Sequence, residues 1–260
     1  MEYKSYEPSS NVELSCKELT QNKKLYPLIT IEGTDCSGKQ TQSEMLIKKL
    51  NNLGIKASKR QYPNYESPTG YLIGSAYLGK GEYYGRCIFP EGASNVDPIV
   101  AGGYYAIDRY SDKYALTKEL VNNIVVLDRY MESNLAYQAG RLTDKKERNK
   151  LFNYFNKLEY GLNKLIKPKY KIFIYMPYEY ATLLKQHRDE RPDGLEESEE
   201  RLRLAETAYL EMAKKMHFKS INCIKPNADK NNPKLSDIKS REEISDEIFA
   251  YIKSKLKIKA

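Results

Sequence analysis

The chain has 260 residues, 40% of them hydrophobic, with 43 Lys and Arg against 35 Asp and Glu and a formal net charge of +8. This hydrophobic content can build a sizeable core, so the composition excludes a disordered protein and fits one large α/β domain or two small ones. The chain contains no apolar run long enough to span a bilayer and no apolar signal segment, so we expect a cytoplasmic protein without a membrane partner. The sequence has an excess of lysines, but its aromatic residues do not form the signatures of RNA-binding modules, so we expect no nucleic-acid partner. The four cysteines are scattered and there are two histidines, which argues against a zinc site or a disulfide framework.

Residues 1–25 are polar and show no periodicity, which predicts a flexible N-terminal extension. From residue 26 to 260, short apolar runs alternate with helical patterns, which predicts a single domain with a parallel sheet covered by helices on both faces. The predicted strands are 28–32, 56–62, 124–128, 171–176 and 220–224. The predicted helices are 38–53, 68–79, 97–121, 133–140, 145–166, 179–188, 196–216 and 241–257. In such sheets, ligands bind beyond the carboxyl ends of the strands.

A glycine-rich loop lies between the first predicted strand and the helix that follows it. It has the form Gly-x-x-x-x-Gly-Lys, with Gly33, Gly38 and Lys39 at the fixed positions. The glycines let backbone N–H groups approach phosphate oxygens, and the helix start and the lysine add positive charge. The pattern predicts a P-loop that binds ATP. The expected ATP-binding residues are Gly33, Thr34, Asp35, Cys36, Ser37, Gly38, Lys39, Gln40 and Thr41.

Gln40 departs from the usual P-loop pattern, in which a Ser or Thr after the lysine ligates Mg²⁺. Thr41 does not simply replace that ligand, because one residue along a helix turns the side chain by roughly 100°. Cys36 lies near helix N–H groups, where a thiol can have a lowered pKa. We interpret Cys36 as a small side chain that the loop tolerates rather than as a redox-active thiol.

A second charged pair follows the predicted strand 124–128. Asp128 ends that strand and Arg129 comes next, so both should lie beside the P-loop. At that position a carboxylate can hold a metal-bound water, and a guanidinium can bind phosphate oxygens in a fork.

Together, these motifs resemble the thymidylate kinase family of P-loop nucleoside monophosphate kinases, over about residues 28–255. The P-loop aspartate, Asp35, matches the family's Gly-x-Asp-x-x-Gly-Lys form. Other matching landmarks follow in order: Arg60 to Pro63, Tyr105 to Arg109, Asp128 to Tyr130, and a helix with Asn134 and Tyr137. The resemblance implies a P-loop NTPase fold, ATP-dependent phosphorylation of dTMP to dTDP, Mg²⁺ as cofactor, and a homodimer.

The resemblance also implies roles at the site of transfer. Lys39 would bind the donor phosphates and Arg129 would clamp phosphates. Asp35 would face the transferred group and, with Asp128, hold Mg²⁺. A charged segment near residues 185–195 lies where the family has its mobile lid. The chain resembles the subtype with catalytic arginines in the lid, and the expected lid cations are Arg188 and Arg191.

On the acceptor side, Arg109 would read the pyrimidine O4 and Tyr105 would stack on the base. Asn134 and Tyr137 would complete the pocket, with Tyr137 also packing against the deoxyribose. The other expected acceptor-site residues are Arg60, Tyr62 and Pro63. Tyr65 stands where many members carry an arginine that contacts the acceptor phosphate, and either Arg60 or a lid arginine would supply that charge.

Alternatives remain open at this stage. A monophosphate acceptor needs no general base, because it is already a dianion at pH 7. A deoxynucleoside acceptor would need a carboxylate base, for which Glu32 is the sole nearby candidate. The alternatives are a kinase for another nucleotide such as dUMP or dGMP, a deoxynucleoside kinase, and a nucleotide-binding P-loop protein with little turnover. The last is suggested by Gln40 and Tyr65.

Overall fold

Five parallel strands form the centre of the computed structural model, which describes residues 11–80, 86–186, 199–229 and 232–258. The strand order is β2-β3-β1-β4-β5, so β1 is the middle strand. The strands are β1 (Leu28–Gly33), β2 (Ala57–Gln61), β3 (Ile124–Asp128), β4 (Tyr170–Tyr175) and β5 (Lys219–Asn222). The predicted α/β fold with a five-stranded parallel sheet is confirmed.

The described part of the chain has helices near all the predicted positions, an additional helix α1, and two helices, α4 and α5, where one was predicted. They are α1 (Val12–Thr20), α2 (Lys39–Asn52), α3 (Pro68–Leu72), α4 (Pro98–Ser111), α5 (Lys113–Leu120), α6 (Met131–Ala139), α7 (Lys145–Asn156), α8 (Tyr178–Lys185), α9 (Glu199–Lys215) and α10 (Arg241–Leu256). Among the described residues, no helix combines the length and the apolar character that a membrane span requires.

Helices cover both faces of the sheet because its inner strands are apolar on both sides. Along β3, Val125 and Leu127 join one buried cluster, while Ile124 and Val126 join the other. The first cluster includes side chains of α5, α6, α7 and α9. The second includes side chains of α2, α8 and α10. Helices α6 and α9 therefore pack on one face of the sheet, and α2 packs on the other.

Three predicted helices are interrupted where tertiary contacts intervene. The helix predicted at 97–121 breaks at Asp112, whose buried carboxylate accepts hydrogen bonds from Arg60 and Tyr62. The helices predicted at 68–79 and 145–166 each continue into a π-helical turn. The first turn spans Ile73–Tyr77 and the second spans Lys157–Leu162. Such turns insert one residue into the helical repeat and are common at functional sites.

Helix α1 lies where the sequence predicts a flexible extension. The Asn11 side chain caps the helix by accepting the Leu14 N–H at 3.0 Å. Cys16 is buried against α5, and Glu13 binds both Lys113 (2.9 Å) and Lys164 (3.0 Å). Residues 12–20 are therefore a helix packed on the domain, stabilised by long-range contacts that local periodicity does not reveal. Residues 1–10 of the predicted extension lie outside the described residues.

Candidate active site

The glycine-rich loop joins β1 to α2 and is fastened to β4. A Cβ at Gly33 would lie 2.4 Å from the Ile174 carbonyl oxygen, so the loop can approach β4 only with glycine there. Gly38 has φ +76°, in the left-handed region that glycine adopts without strain. The Thr34 hydroxyl donates to the Met176 carbonyl (2.6 Å) and accepts from the Met176 N–H (2.8 Å). The loop is thus held in place with its backbone turned towards the start of α2.

Lys39 is buried within this loop. Its Nζ donates hydrogen bonds to the carbonyl oxygens of Thr34 (2.8 Å) and Gly33 (3.1 Å). Burial, together with the nearby charge of Arg129, lowers the pKa of Lys39 to about 8. The protein alone stabilises the charged form of Lys39 poorly, so an anion bound in the loop would interact strongly with it.

Gln40 lies on the exposed side of α2, away from the loop. Its side-chain amide donates to the Glu44 carboxylate at 3.2 Å. The negative charges of Asp35, Asp128 and Glu32 all act on Lys39, and Glu32 is already occupied by donors from the start of α6. Asp35 and Asp128 therefore remain as carboxylate oxygens of the kind that Mg²⁺ prefers.

Asp35 connects the glycine-rich loop to α6 and α8. Its Oδ1 accepts the Tyr137 hydroxyl at 2.6 Å, and its Oδ2 lies 3.6 Å from Lys185 Nζ. Burial alone would raise the pKa of Asp35, but Lys39, the Tyr137 hydroxyl, Arg129 and Lys185 together lower it. Asp35 is therefore an ionised carboxylate surrounded by cations.

Arg129 presents a half-buried positive charge beside this carboxylate. Its backbone has φ +67°, and its guanidinium lies 5.6 Å from the centre of the Tyr137 ring. The hydroxyl oxygens of Tyr137 and Tyr209 are each 3.5 Å from Nη1. Among the described residues, no carboxylate lies within ion-pair distance of Arg129. Two aromatic residues therefore orient the guanidinium while its charge stays available for an anion.

A cleft of about 140 Å³ opens beyond the carboxyl ends of β2 and β3. It brings together six of the seven residues expected at the acceptor site: Tyr62, Pro63, Tyr105, Arg109, Asn134 and Tyr137. Tyr65, Leu78, Arg129, Tyr130, Ser133 and Gln138 complete its lining. Its mixed polar and apolar lining is typical of a small-molecule site.

Two polar groups in this cleft have hydrogen-bonding capacity left over. Asn134 Nδ2 donates to the Gly102 carbonyl at 3.1 Å, while its buried Oδ1 has no partner among the described residues. Arg109 uses Nε and Nη2 to bind Glu159, at 2.5 and 2.7 Å. Burial alone would lower the pKa of Arg109, but Glu159 more than compensates and raises it. The cleft therefore offers one hydrogen-bond acceptor, Asn134 Oδ1, and one group of cationic hydrogen-bond donors, the remaining N–H groups of Arg109.

Arg60 is the expected acceptor-site residue that does not reach the cleft. Its guanidinium binds Asp112 at 2.6 and 2.7 Å and also binds Glu119. It lines a separate groove along the edge strand β2. These two carboxylates hold Arg60 as a link between β2 and α5, which removes it as the source of charge opposite Tyr65.

Glu32, the sequence's one candidate general base, is sealed inside the protein. Its carboxylate accepts the Tyr130 N–H (2.6 Å), the Ser133 N–H (3.3 Å) and the Ser133 hydroxyl (2.5 Å). Burial and the charge of Glu132 raise the pKa of Glu32 to about 7, with partial compensation from these donors. Glu32 thus acts as the N-terminal cap of α6 and does not line the cleft.

The lid arginines expected at Arg188 and Arg191 lie outside the described residues. Just before them, Lys185 ends α8 and lines a smaller cleft of about 30 Å³ with Thr34 and Asp35. Lys185 and Tyr209 are site residues that the sequence reasoning missed. Lys185 lay within the charged segment assigned to the lid, whereas nothing local distinguishes Tyr209 from an ordinary core aromatic.

The chain is similar to known proteins of one family. A family model described as thymidylate kinase matches residues 31–232. The probable thymidylate kinase of Methanocaldococcus jannaschii is 26% identical, over 87% of this chain and 95% of its own length. The thymidylate kinase of Plasmodium falciparum is 25% identical, over 90% of this chain and 99% of its own length. The solved structure of thymidylate kinase from Candida albicans shares the fold, with a TM-score of 0.62, 17% identity, and coverage of 89% of this chain and 92% of that one.

Proposed function

Because the chain belongs to the thymidylate kinase family, we propose that it transfers the terminal phosphate of ATP to dTMP and forms dTDP. The observation that carries this assignment is the pairing of unused hydrogen-bonding groups in the cleft, Asn134 Oδ1 and the free N–H groups of Arg109.

These two groups match the edge of thymine. Thymine presents an N3–H donor beside the O4 acceptor, so Asn134 Oδ1 would accept the first and Arg109 would donate to the second. Cytosine reverses both groups, with an acceptor at N3 and an amino donor at position 4. Cytosine would therefore leave two buried polar groups of the protein unpaired. Such unpaired groups let a pocket discriminate strongly against the wrong base. Tyr105 lines the same cleft and would stack on the base.

Tyr137 would exclude a 2′-hydroxyl. Its own hydroxyl is fixed by the 2.6 Å hydrogen bond to Asp35, and its ring is held edge-on against Tyr209. A side chain held on both sides cannot move aside for an extra oxygen on the sugar. We therefore propose deoxyribonucleotides as the preferred acceptors.

Catalysis would depend on positioning and on charge neutralisation. The acceptor phosphate is already a dianion at pH 7, so no general base is required, in keeping with the sealed Glu32. Lys39 would exchange its carbonyl partners for donor phosphate oxygens, and Arg129 would bind the transferring group. Lys185 would add further positive charge beside Asp35, and Arg188 and Arg191 are the proposed catalytic arginines of the lid.

Asp35 and Asp128 would hold Mg²⁺, directly or through water, without a ligand from Gln40. When bound, Mg²⁺ neutralises charge on the donor phosphates and orients them. This assignment also accounts for the departure from the usual Ser or Thr, because Mg²⁺ usually keeps several waters and needs few protein ligands.

We further propose a homodimer that works in the cytoplasm. Val100 and Ile107, seven residues apart on α4, are both exposed, and such a pair forms an apolar stripe on one face of a helix. Among the described residues, no disulfide bond joins the cysteines, as in a reducing compartment. Ile107→Glu should shift the mass measured by light scattering from dimer to monomer.

A coupled assay of ADP release tests the proposed reaction. We expect turnover with dTMP, roughly 10- to 100-fold lower kcat/KM with dUMP, and about 10²- to 10⁴-fold lower kcat/KM with dCMP. Thymidine and dGMP should give no turnover. Lys39→Ala should be inactive, since it removes charge stabilisation of the transition state. Preference for thymidine, or ATP binding without turnover on any acceptor, would replace the proposal with the nucleoside kinase or the binding protein.

A further inference from the structure

Arg109 and Glu159 form an ion pair that is almost completely enclosed. Their side chains are 2% and 0% exposed, the lowest values for both partners of any ion pair between described residues. The pairing is side-on, from Nε to Oε2 (2.5 Å) and from Nη2 to Oε1 (2.7 Å). An arginine has five N–H donors. The three that remain have no partner among the described residues, although Arg109 lines the cleft.

The guanidinium is planar, so fixing one edge fixes the others. We propose that Glu159 is a positioning residue for base recognition, which holds Arg109 so that its free N–H groups meet the O4 of a pyrimidine acceptor. This proposal rests on the proposed function and adds to it a residue that does not touch substrate.

The charge of Glu159 matters as much as its shape. The base edge that Arg109 would read is neutral, and an unpaired buried cation would instead favour an anion. Arg109 and Glu159 together carry no net charge, and the pair still presents the free N–H donors of Arg109. The acceptor phosphate would then be drawn to Arg129, and the base to Arg109, so the acceptor binds in one orientation.

The backbone that carries Glu159 is itself held in place. Glu159 belongs to the second π-helical turn, where the Asn163 N–H donates to the Leu158 carbonyl at 2.8 Å. The Lys113 Nζ donates to the Asn163 carbonyl at 2.9 Å and also to Glu13 at 2.9 Å. Helices α1 and α5 thus hold the end of the π-helical turn, and this turn places the Glu159 carboxylate against Arg109 of α4.

A double-mutant cycle on ligand affinity tests this proposal. Calorimetric titration with dTMP and with ADP would compare wild type, Glu159→Gln, Arg109→Met and the double variant. We expect Glu159→Gln to weaken dTMP about 10- to 100-fold and ADP by less than about twofold, because one partner of a buried pair is lost. In the Arg109→Met background, Glu159→Gln should weaken dTMP no further, since Glu159 acts through Arg109.

Glu211→Gln is the matched control. Glu211 binds Arg148 with the same side-on geometry, at 3.0 and 2.9 Å, away from the cleft. This variant should keep the dTMP affinity within about twofold of wild type. If Glu159→Gln does not fold, Glu159→Asp with Arg109→Lys supplies the same cycle.

The outcomes separate the two proposals. Unchanged dTMP affinity in Glu159→Gln, or losses that simply add in the double variant, would overturn the role of Glu159 alone. Selective dTMP binding without turnover would overturn the proposed reaction and leave the positioning role standing if the cycle is non-additive. A wild-type protein that binds no dTMP would overturn both.

Discussion

The ammonium group of Lys39 shows how burial changes the chemistry of one residue. Its described hydrogen-bond acceptors are the carbonyl oxygens of Gly33 and Thr34, and burial together with the nearby charge of Arg129 lowers its pKa to about 8. A phosphate bound beside it would favour the charged form and raise that pKa. Nucleotide binding should therefore be coupled to proton uptake.

We expect ATP affinity to fall as pH rises above about 8, by up to about tenfold per pH unit. Above that pH the free protein has lost a proton that the complex must regain; well below it, Lys39 is charged in both states and contributes no pH dependence. Calorimetry in two buffers of different ionisation enthalpy, at about pH 8.5, measures the uptake directly. Lys39→Met should abolish it, and uptake that persisted in this variant would belong to another group.

Residues of the site could be predicted from sequence where local motifs fix them. Lys39 follows a glycine-rich loop, and Asn134 and Tyr137 lie on the helix after Asp128 and Arg129, so each position follows from a nearby pattern. Arg60 was misplaced because its partners Asp112 and Glu119 lie 52 and 59 residues away along the chain. Glu159 was missed for the same reason, since its pairing with Arg109 exists only in the folded chain.

At the scale of elements, α6 and α9 pack with almost no space between their backbones. A Cβ at Gly140, which follows α6, would lie 2.6 Å from the Ala205 Cα and 2.8 Å from its N. Because these are backbone atoms of α9, they cannot rotate away. Helix α6 carries cleft residues and α9 follows the lid, so this contact sets how the two sides of the site meet.

Gly140→Ala should therefore push α9 away and destabilise the protein. We expect a loss of about 1–3 kcal/mol, as for other insertions into a packed contact, measured by thermal or urea unfolding. Gly161→Ala is the control, since a Cβ there meets only the Lys157 side chain, at 3.7 Å. A stability equal to wild type in Gly140→Ala would show that α9 repacks freely.

Most strand positions could be predicted because buried parallel strands are short apolar runs, as in β3. The π-helical turns and the break at Asp112 could not, because they depend on contacts across the fold. Helix α1 is the largest difference, since its buried Cys16 and its acidic Glu13 find their partners on α5.

Glu13→Gln tests how strongly α1 is held. Hydrogen bonds from Lys113 and Lys164 lower the pKa of Glu13 from 4.5 to about 2. The stabilisation from Glu13 should therefore be complete above pH 4.5 and should be lost as the pH falls to about 2. At neutral pH we expect about 1 kcal/mol of destabilisation, a Tm lower by roughly 2–4 °C, because the pair is partly exposed to solvent.

Near pH 2 the Tm of Glu13→Gln and of wild type should converge. Glu147→Gln, which removes an exposed pair with Lys150, should change Tm very little at either pH. A Tm difference for Glu13→Gln that did not shrink with acidity would mean that the side chain stabilises by packing rather than by charge.

At the scale of the whole molecule, the strand order brings the functional segments to one edge of the sheet. The P-loop follows the middle strand β1, Asp128 and Arg129 lie at the end of the adjacent β3, and the Tyr62–Pro63 segment follows β2. On the other side, β4 leads through α8 towards the lid. Loops distant in sequence therefore converge because parallel strands all end at the same edge.

The hydrogen bond between Tyr137 and Asp35 joins the two ligand sites, since one partner lines the acceptor cleft and the other lies in the P-loop. A change that one substrate makes at Asp35 would alter the affinity for the other, and thermodynamic linkage would make that effect equal in both directions. We expect ADP and dTMP to strengthen each other's binding by about 5- to 150-fold, measured by titrating each in the presence of the other. Tyr137→Phe should make the two affinities independent, and cooperativity that survived in this variant would require a different connection. A single 2.6 Å contact would thus let the protein respond to its two substrates jointly rather than to either one alone.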